Sequence, residues 1–177
     1  MKQDTLELEG APILFKNFSA GPTKFNPQGG DVTFSILIED LDQAEALLAD
    51  EWALKPLMDR DEEDTVNAYH LPVKINFESP FPPRIYRVSE AHLARIAMTR
   101  DTIHILDSLR VLFCDIVVNK YRWSVGGKSG VKAYLDLGYF IIEETDLDRK
   151  WDTLFSGSSD EIEANFESLV KEKMAGK

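Results

Sequence analysis

Two stretches of the chain set cations beside aromatic rings with no acid among them. Gly10 to Gly30 holds Lys16 and Lys24 with Phe15, Phe18 and Phe25. Ile116 to Leu135 holds Lys120, Arg122, Lys128 and Lys132 with Tyr121, Trp123 and Tyr134. A third stretch, Pro72 to Val88, sets Lys74, Arg84, Arg87 and Tyr86 against the single acid Glu78. This combination suits a single nucleic-acid strand, because cations follow the phosphates while rings stack on the bases. It equally suits a barrel whose rings are core and whose cations form a solvated face. Residue types alone leave both readings open.

No other constellation supports a sharper chemistry. Gly127-Lys128-Ser129 resembles the end of a phosphate-binding loop, but Arg122 stands where that motif needs its first glycine. A strand pattern follows it, where the motif needs a helix N-terminus to hold the phosphate. A lysine between glycines at a hairpin tip remains a good phosphate contact. His70, His92 and His104 show no ligand spacing. Cys114 stands in an apolar run and reads as a small core residue; as the one cysteine it excludes an intrachain disulfide. Asp61-Glu62-Glu63-Asp64 lacks the glycine and alternating spacing of a calcium loop and reads as a solvated acidic loop. No nucleophile and base stand at a useful spacing. Neither catalysis nor a metal nor a cofactor is expected.

The net charge of −11 over 177 residues argues, as an average, against a polyanionic partner. The distribution weakens that objection. Acids gather in the block Asp59 to Asp64, and Glu143 to Lys177 carries ten acids against five bases. Such an acidic tail reads either as a solubilising end, or as a segment that competes with ligands for a basic surface or joins copies of the chain.

The elements that would position these residues are mainly strands. Ala11 to Phe18, Val32 to Ile38, Tyr69 to Phe77, Arg84 to Val88, Val111 to Trp123 and Val131 to Ile142 read as strands. In the last, Val131, Ala133, Leu135, Leu137, Tyr139 and Ile141 are expected on one face. Asp40 is placed to cap a helix reaching about Trp52, Ser89 to cap a helical piece through about Met98, and Asp101 to Leu109 to form another short helix. Pro80-Phe81-Pro82-Pro83 reads as a rigid loop, and Gly126 to Gly130 as a flexible turn. A helix over Ser159 to Met174 would carry Ile162, Phe166 and Leu169 on one stripe. The expected fold is mainly β: a five-stranded OB-fold-like Greek-key barrel over 1–145 with inserted short helices, then an acidic, partly helical tail over 146–177. Patterning alone suits a β-sandwich nearly as well. Alternation sets Tyr121 and Trp123 on the strand face opposite Lys120 and Arg122, so these cannot all face one groove. The polar start at Met1 and the lack of a long apolar run point to a cytoplasmic protein without membrane association.

Three stretches taken together carry a resemblance. They are Leu8-Glu9-Gly10-Ala11 with Phe15-Lys16-Asn17-Phe18-Ser19 and Lys24-Phe25-Asn26; Leu71-Pro72-Val73-Lys74-Ile75-Asn76-Phe77 with Pro82-Pro83-Arg84-Ile85-Tyr86; and Tyr121-Arg122-Trp123-Ser124-Val125-Gly126-Gly127-Lys128-Ser129-Gly130-Val131-Lys132-Ala133-Tyr134-Leu135. From about Leu8 to Thr145 the chain resembles bacteriophage-encoded single-stranded DNA-binding proteins with an OB-fold. The resemblance implies sequence-tolerant binding and protection of single strands in phage DNA replication, recombination or repair, with no catalysis and no cofactor. It implies as DNA-binding residues Phe15, Lys16, Phe18, Lys24, Phe25, Lys74, Arg84, Tyr86, Lys120, Tyr121, Arg122, Trp123, Lys128, Lys132 and Tyr134. Expected partners are single-stranded DNA, further copies of the chain, and phage or host replication and recombination proteins. The alternative is a protein-interaction or virion-assembly module on a similar barrel, without nucleic-acid binding.

Overall fold

The computed structural model describes residues 4–24, 26–58, 65–90, 94–145 and 158–176. Phe25 and the acidic block Asp59 to Asp64 lie outside the described residues. Nine strand segments are described: β1 Thr5–Ala11, β2 Ile13–Asn17, β3 Val32–Ile38, β4 Lys55–Met58, β5 Val66–Ile75, β6 Arg84–Ser89, β7 Arg95–Met98, β8 Val111–Val125 and β9 Lys128–Ile142. The described helices are α1, Leu41–Ala49, and α2, Ser159–Ala175, with a 3-10 turn at Ile103–Asp107. The chain divides into two compact units, Met1–Glu143 and Glu144–Lys177.

In the first unit the sheet path is β1-β8-β9-β5-β3-β2. Its two ends are consecutive in the chain, separated only by Pro12, whose carbonyl accepts from the Leu37 amide of β3 at 2.9 Å. The path therefore curls back on itself as five staves: β1 with β2, then β3, β5, β9 and β8. β5 meets β9 in parallel through Val73 opposite Ala133 and Lys74 opposite Tyr134, while the other stave pairs run antiparallel. This is the Greek-key order of an OB-type barrel. β6 and β7 extend the sheet outward from the second half of β9.

The core explains the alternation of β3. Phe34, Ile36 and Ile38 point inward, and Phe34 meets Phe18 and Phe140 with ring centroids 5.5 and 5.3 Å apart. All three rings are fully buried, and truncating one of them costs about 3–5 kcal/mol. Cys114 is buried in the same core; burial, and after it Asp115, push its thiol up to about 12, which leaves it an inert apolar filler.

Two expectations need correction. The inward face of β9 is not one unbroken row: Ala133 and Leu135 are buried, then Phe140 and Ile142. Val117 faces Leu137 while Val118 faces Leu135, so β9 has one extra residue there. Such a bulge reverses the parity of every residue beyond it. The segment after Ser89 is also not a helix as far as it is described: Ser89 ends β6, and Arg95–Met98 is the strand β7, whose Met98 is buried opposite Ile85.

Asp40 caps α1 as expected, its carboxylate accepting from the amides of Asp42 and Gln43 at 3.0 and 3.2 Å. The helix buries Ala44 and Leu47 and stops at Ala49, earlier than the spacing of apolar residues implies. In the second unit, Ser158 and Glu161 form a reciprocal capping box that starts α2. None of its residues is fully buried; Ile162 and Leu169 are half-buried and Phe166 is exposed.

Candidate nucleic-acid interface

The first element of the site is the β8–β9 hairpin. Gly126 and Gly127 have φ of 58° and 80°, the left-handed pair that a two-residue turn requires. Lys128 is already the first residue of β9, so the glycine-lysine-serine sequence is a hairpin tip and not a phosphate-binding loop. The Lys120 amide still donates to the Asp4 carbonyl at 2.7 Å, and beyond it Tyr121 to Val125 pair, among the described strands, with β9 alone.

Residues opposed across an antiparallel ladder share a face. Tyr121 opposes Lys132, Trp123 opposes Gly130 and Asn119 opposes Tyr134. Tyr121 and Tyr134 meet edge to face at 5.7 Å, and the Lys132 ammonium stands 5.7 Å from the centre of the Trp123 ring. Four of the expected site residues thus form one outward cluster, with Tyr121 exposed and the other three half-buried. Lys128 is exposed at the tip beside them.

Two depressions adjoin at Tyr134 and Asn76. One, of about 690 Å³, is lined by Lys74, Phe77, Arg100, His104 and the loop residues Ser19, Ala20, Gly30 and Asp31. The other, of about 490 Å³, lies between Tyr121 and Tyr134 of the hairpin and Phe81 and Pro83 of the β5–β6 loop. The cations of the first are held by acids: Lys74 lies 3.4 Å from Asp31, and Arg100 lies 2.8 Å from Glu78. Lys24 is exposed on the loop that supplies Ser19 and Asp31, and Arg84 is exposed directly after Pro83.

The other expected residues lie in the core, are held by neighbouring groups, or lie elsewhere on the sheet. Phe18 is core, 1% exposed. Lys16 donates to the carbonyls of Leu106 and Leu109 at 3.1 and 2.7 Å, tying β2 to the 3-10 turn. Asp107 of that turn accepts from the amides of Phe18 and Ser19, which sets where the loop toward Asp31 departs. The Lys120 side chain is fully enclosed; it donates to the Asp50 carbonyl at 2.6 Å and lies 4.7 Å over the Trp52 ring. Arg122, on the same strand face, pairs with Glu51 at 2.6 Å and Asp4 at 3.6 Å. Phe15 is exposed but stands apart from the hairpin cluster, against His70 of β5 at 5.2 Å. Tyr86 stacks on Tyr139 at 5.2 Å beneath Arg95, farther along β9.

Sequence reasoning missed Phe81, Asn76, Arg100 and His104 as groove residues. For Phe81 a signal existed: a large ring flanked by Pro80, Pro82 and Pro83 is an unusual ornament for a plain linker. Among the described residues, no group of three or more His, Cys, Asp or Glu could hold a metal ion.

No curated protein matches the chain in sequence. Among solved structures, the C-terminally truncated single-stranded DNA-binding protein of bacteriophage Enc34 is 9% identical, with 80% of this chain and 88% of that chain covered and a TM-score of 0.47. The Enc34 protein in complex with ssDNA is 5% identical, with 80% and 88% covered and a TM-score of 0.43. The single-stranded DNA-binding protein gp2.5 of bacteriophage T7 is 12% identical, with 82% and 96% covered and a TM-score of 0.33. The assignment rests on none of these likenesses but on a family model that matches residues 1–174, described as "Putative phage ssDNA-binding domain". That match does not favour the protein-interaction or virion-assembly alternative, and the chain belongs to the phage single-stranded DNA-binding domain family.

Proposed function

We propose that the chain binds single-stranded DNA without sequence preference on the outer face around Tyr134, holding strands open during phage DNA replication, recombination or repair. The observation that carries this is the convergence of Tyr121, Trp123, Tyr134 and Lys132 on one face beside two grooves. Rings accept any base, and a few cations suffice to guide the backbone. Lys24, Lys74, Lys128, Lys132 and Arg84 are the phosphate contacts in this reading; Lys16, Phe18, Lys120 and Arg122 support the fold. The role is binding and not turnover. No helix among the described residues is long and apolar enough to cross a membrane. The proposed site of action, which follows from the phage DNA-binding family, is the cytoplasm of the host cell.

The test is fluorescence anisotropy of a labelled dT oligomer against a duplex of equal length, over a salt series. Preference for the single strand, with log K falling by about 0.7 per phosphate contact per decade of salt, is expected. Equal affinity for duplex, or no binding, would refute the proposal.

A further inference from the structure

Phe81 is 86% exposed, the most exposed large hydrophobic side chain among the described residues. An isolated exposed ring needs no explanation, but this one stands on a restricted backbone and shares a depression with two tyrosines. Pro80, Pro82 and Pro83 restrict the backbone on both sides of it. The Phe81 amide donates to Ser79 Oγ at 3.2 Å, and the Glu78 amide to Asn76 Oδ1 at 3.0 Å, so the loop carries its own small turns. Across the depression stand Tyr121, 55% exposed, and Tyr134. Aromatic surface from the loop and from the hairpin therefore walls one cleft.

The charges lining that cleft decide what fits it. Its carboxylate, Asp136, repels phosphate, and its ammonium, Lys120, is committed to Asp50 and Trp52. The amides of Asn76 and Asn119 supply neutral polar groups. The cleft suits a flat, uncharged group with polar edges, while the phosphates keep outside toward Lys128, Lys132 and Lys74. Pre-positioning the loop by prolines lowers the ordering cost of capture.

We propose that Phe81 and the Tyr121–Tyr134 pair form a clamp for one DNA base, with Phe81 as its loop-side jaw. This rests on the proposed function and names a base-contacting residue within it. The test measures dT-oligomer affinity and melting temperature for wild type, Phe81→Ala, Phe81→Leu and Phe81→Trp. Stacking on one base is worth about a five- to 150-fold change in affinity. The clamp predicts weakening in that range for Phe81→Ala and Phe81→Leu, near-wild-type affinity for Phe81→Trp, and unchanged melting throughout, because the ring contributes little burial. Wild-type affinity in Phe81→Ala would overturn the clamp, and so would wild-type affinity in Phe81→Leu, since an apolar contact without a ring plane would then suffice. A wild-type protein that ignores dT would overturn the proposed function itself, an outcome distinct from either.

Discussion

The Trp123 indole lies across Gly130, its partner in the hairpin ladder, so closely that a methyl group on Gly130 would sit 2.8 Å from Cε2, Cζ2 and Nε1 of the ring. Glycine at this position lets the ring rest on the β9 backbone. Gly130→Ala has room in its own backbone conformation but must lift the indole. The expected result is a several-fold weaker dT affinity, bounded by the 1–3 kcal/mol or so of one stacked base, with melting unchanged at this solvent-facing ribbon. Anisotropy titration beside a thermal melt checks it.

Lysines close in sequence should behave differently. Lys120→Met removes an enclosed ammonium and leaves the Asp50 carbonyl without it, so stability should fall by about 1–3 kcal/mol. Lys128→Ala at the exposed tip should leave stability alone and flatten the salt dependence of DNA binding by about 0.7 in slope. Urea melts and salt-series titrations of the two variants separate the roles; a flattened slope in a fully stable Lys120→Met would contradict this assignment.

Asp31 and Glu78 hold Lys74 and Arg100 in the larger groove. Exposed pairs of this kind are weak and exchange readily. In the proposed complex phosphate would replace carboxylate, and the acids would then compete with DNA for the two cations. Asp31→Asn and Glu78→Gln should each tighten dT binding about two- to five-fold at low salt, with the gain fading as salt screens the groove. Weaker binding in both variants would show that the acids orient the cations and do not compete for them.

His70 should tie stability to pH. Its Nδ1 lies 3.0 Å from Ser35 Oγ, and burial, followed by Lys55, holds the imidazole below its usual 6.5. The unfolded chain therefore takes up the proton first as pH falls. The stability that depends on neutral His70 is complete above about pH 6.5 and is lost as pH drops toward the folded value. Melting temperatures between about pH 7.5 and pH 5 should decline less steeply in His70→Gln than in wild type.

The barrel was legible where one face of a strand is core, as in Val32–Ile38, because burial imposes a period of two. It was illegible where pairing is non-local. The four residues of β7 form a strand only because β6 offers its edge, and the reversal in β9 comes from a bulge that alternation cannot reveal. The hairpin cluster was legible because Tyr121, Trp123, Lys132 and Tyr134 lie close in sequence across one tight turn. Lys16 and Lys120 were not, since only the tertiary fold brings the Leu106, Leu109 and Asp50 carbonyls to their ammonium groups.

The central claim is that single-stranded DNA stacks on the outward rings of the β8–β9 hairpin. Its most direct test is dT-oligomer affinity for Tyr121→Ala, Trp123→Ala and Tyr134→Ala, each paired with a melting curve. Loss of about 1–3 kcal/mol of binding per stacking ring, roughly five- to 150-fold in Kd, with the melting temperature of at least Tyr121→Ala unchanged, is the predicted result. Wild-type affinity in all three variants, or losses that follow the melting temperature alone, would contradict it.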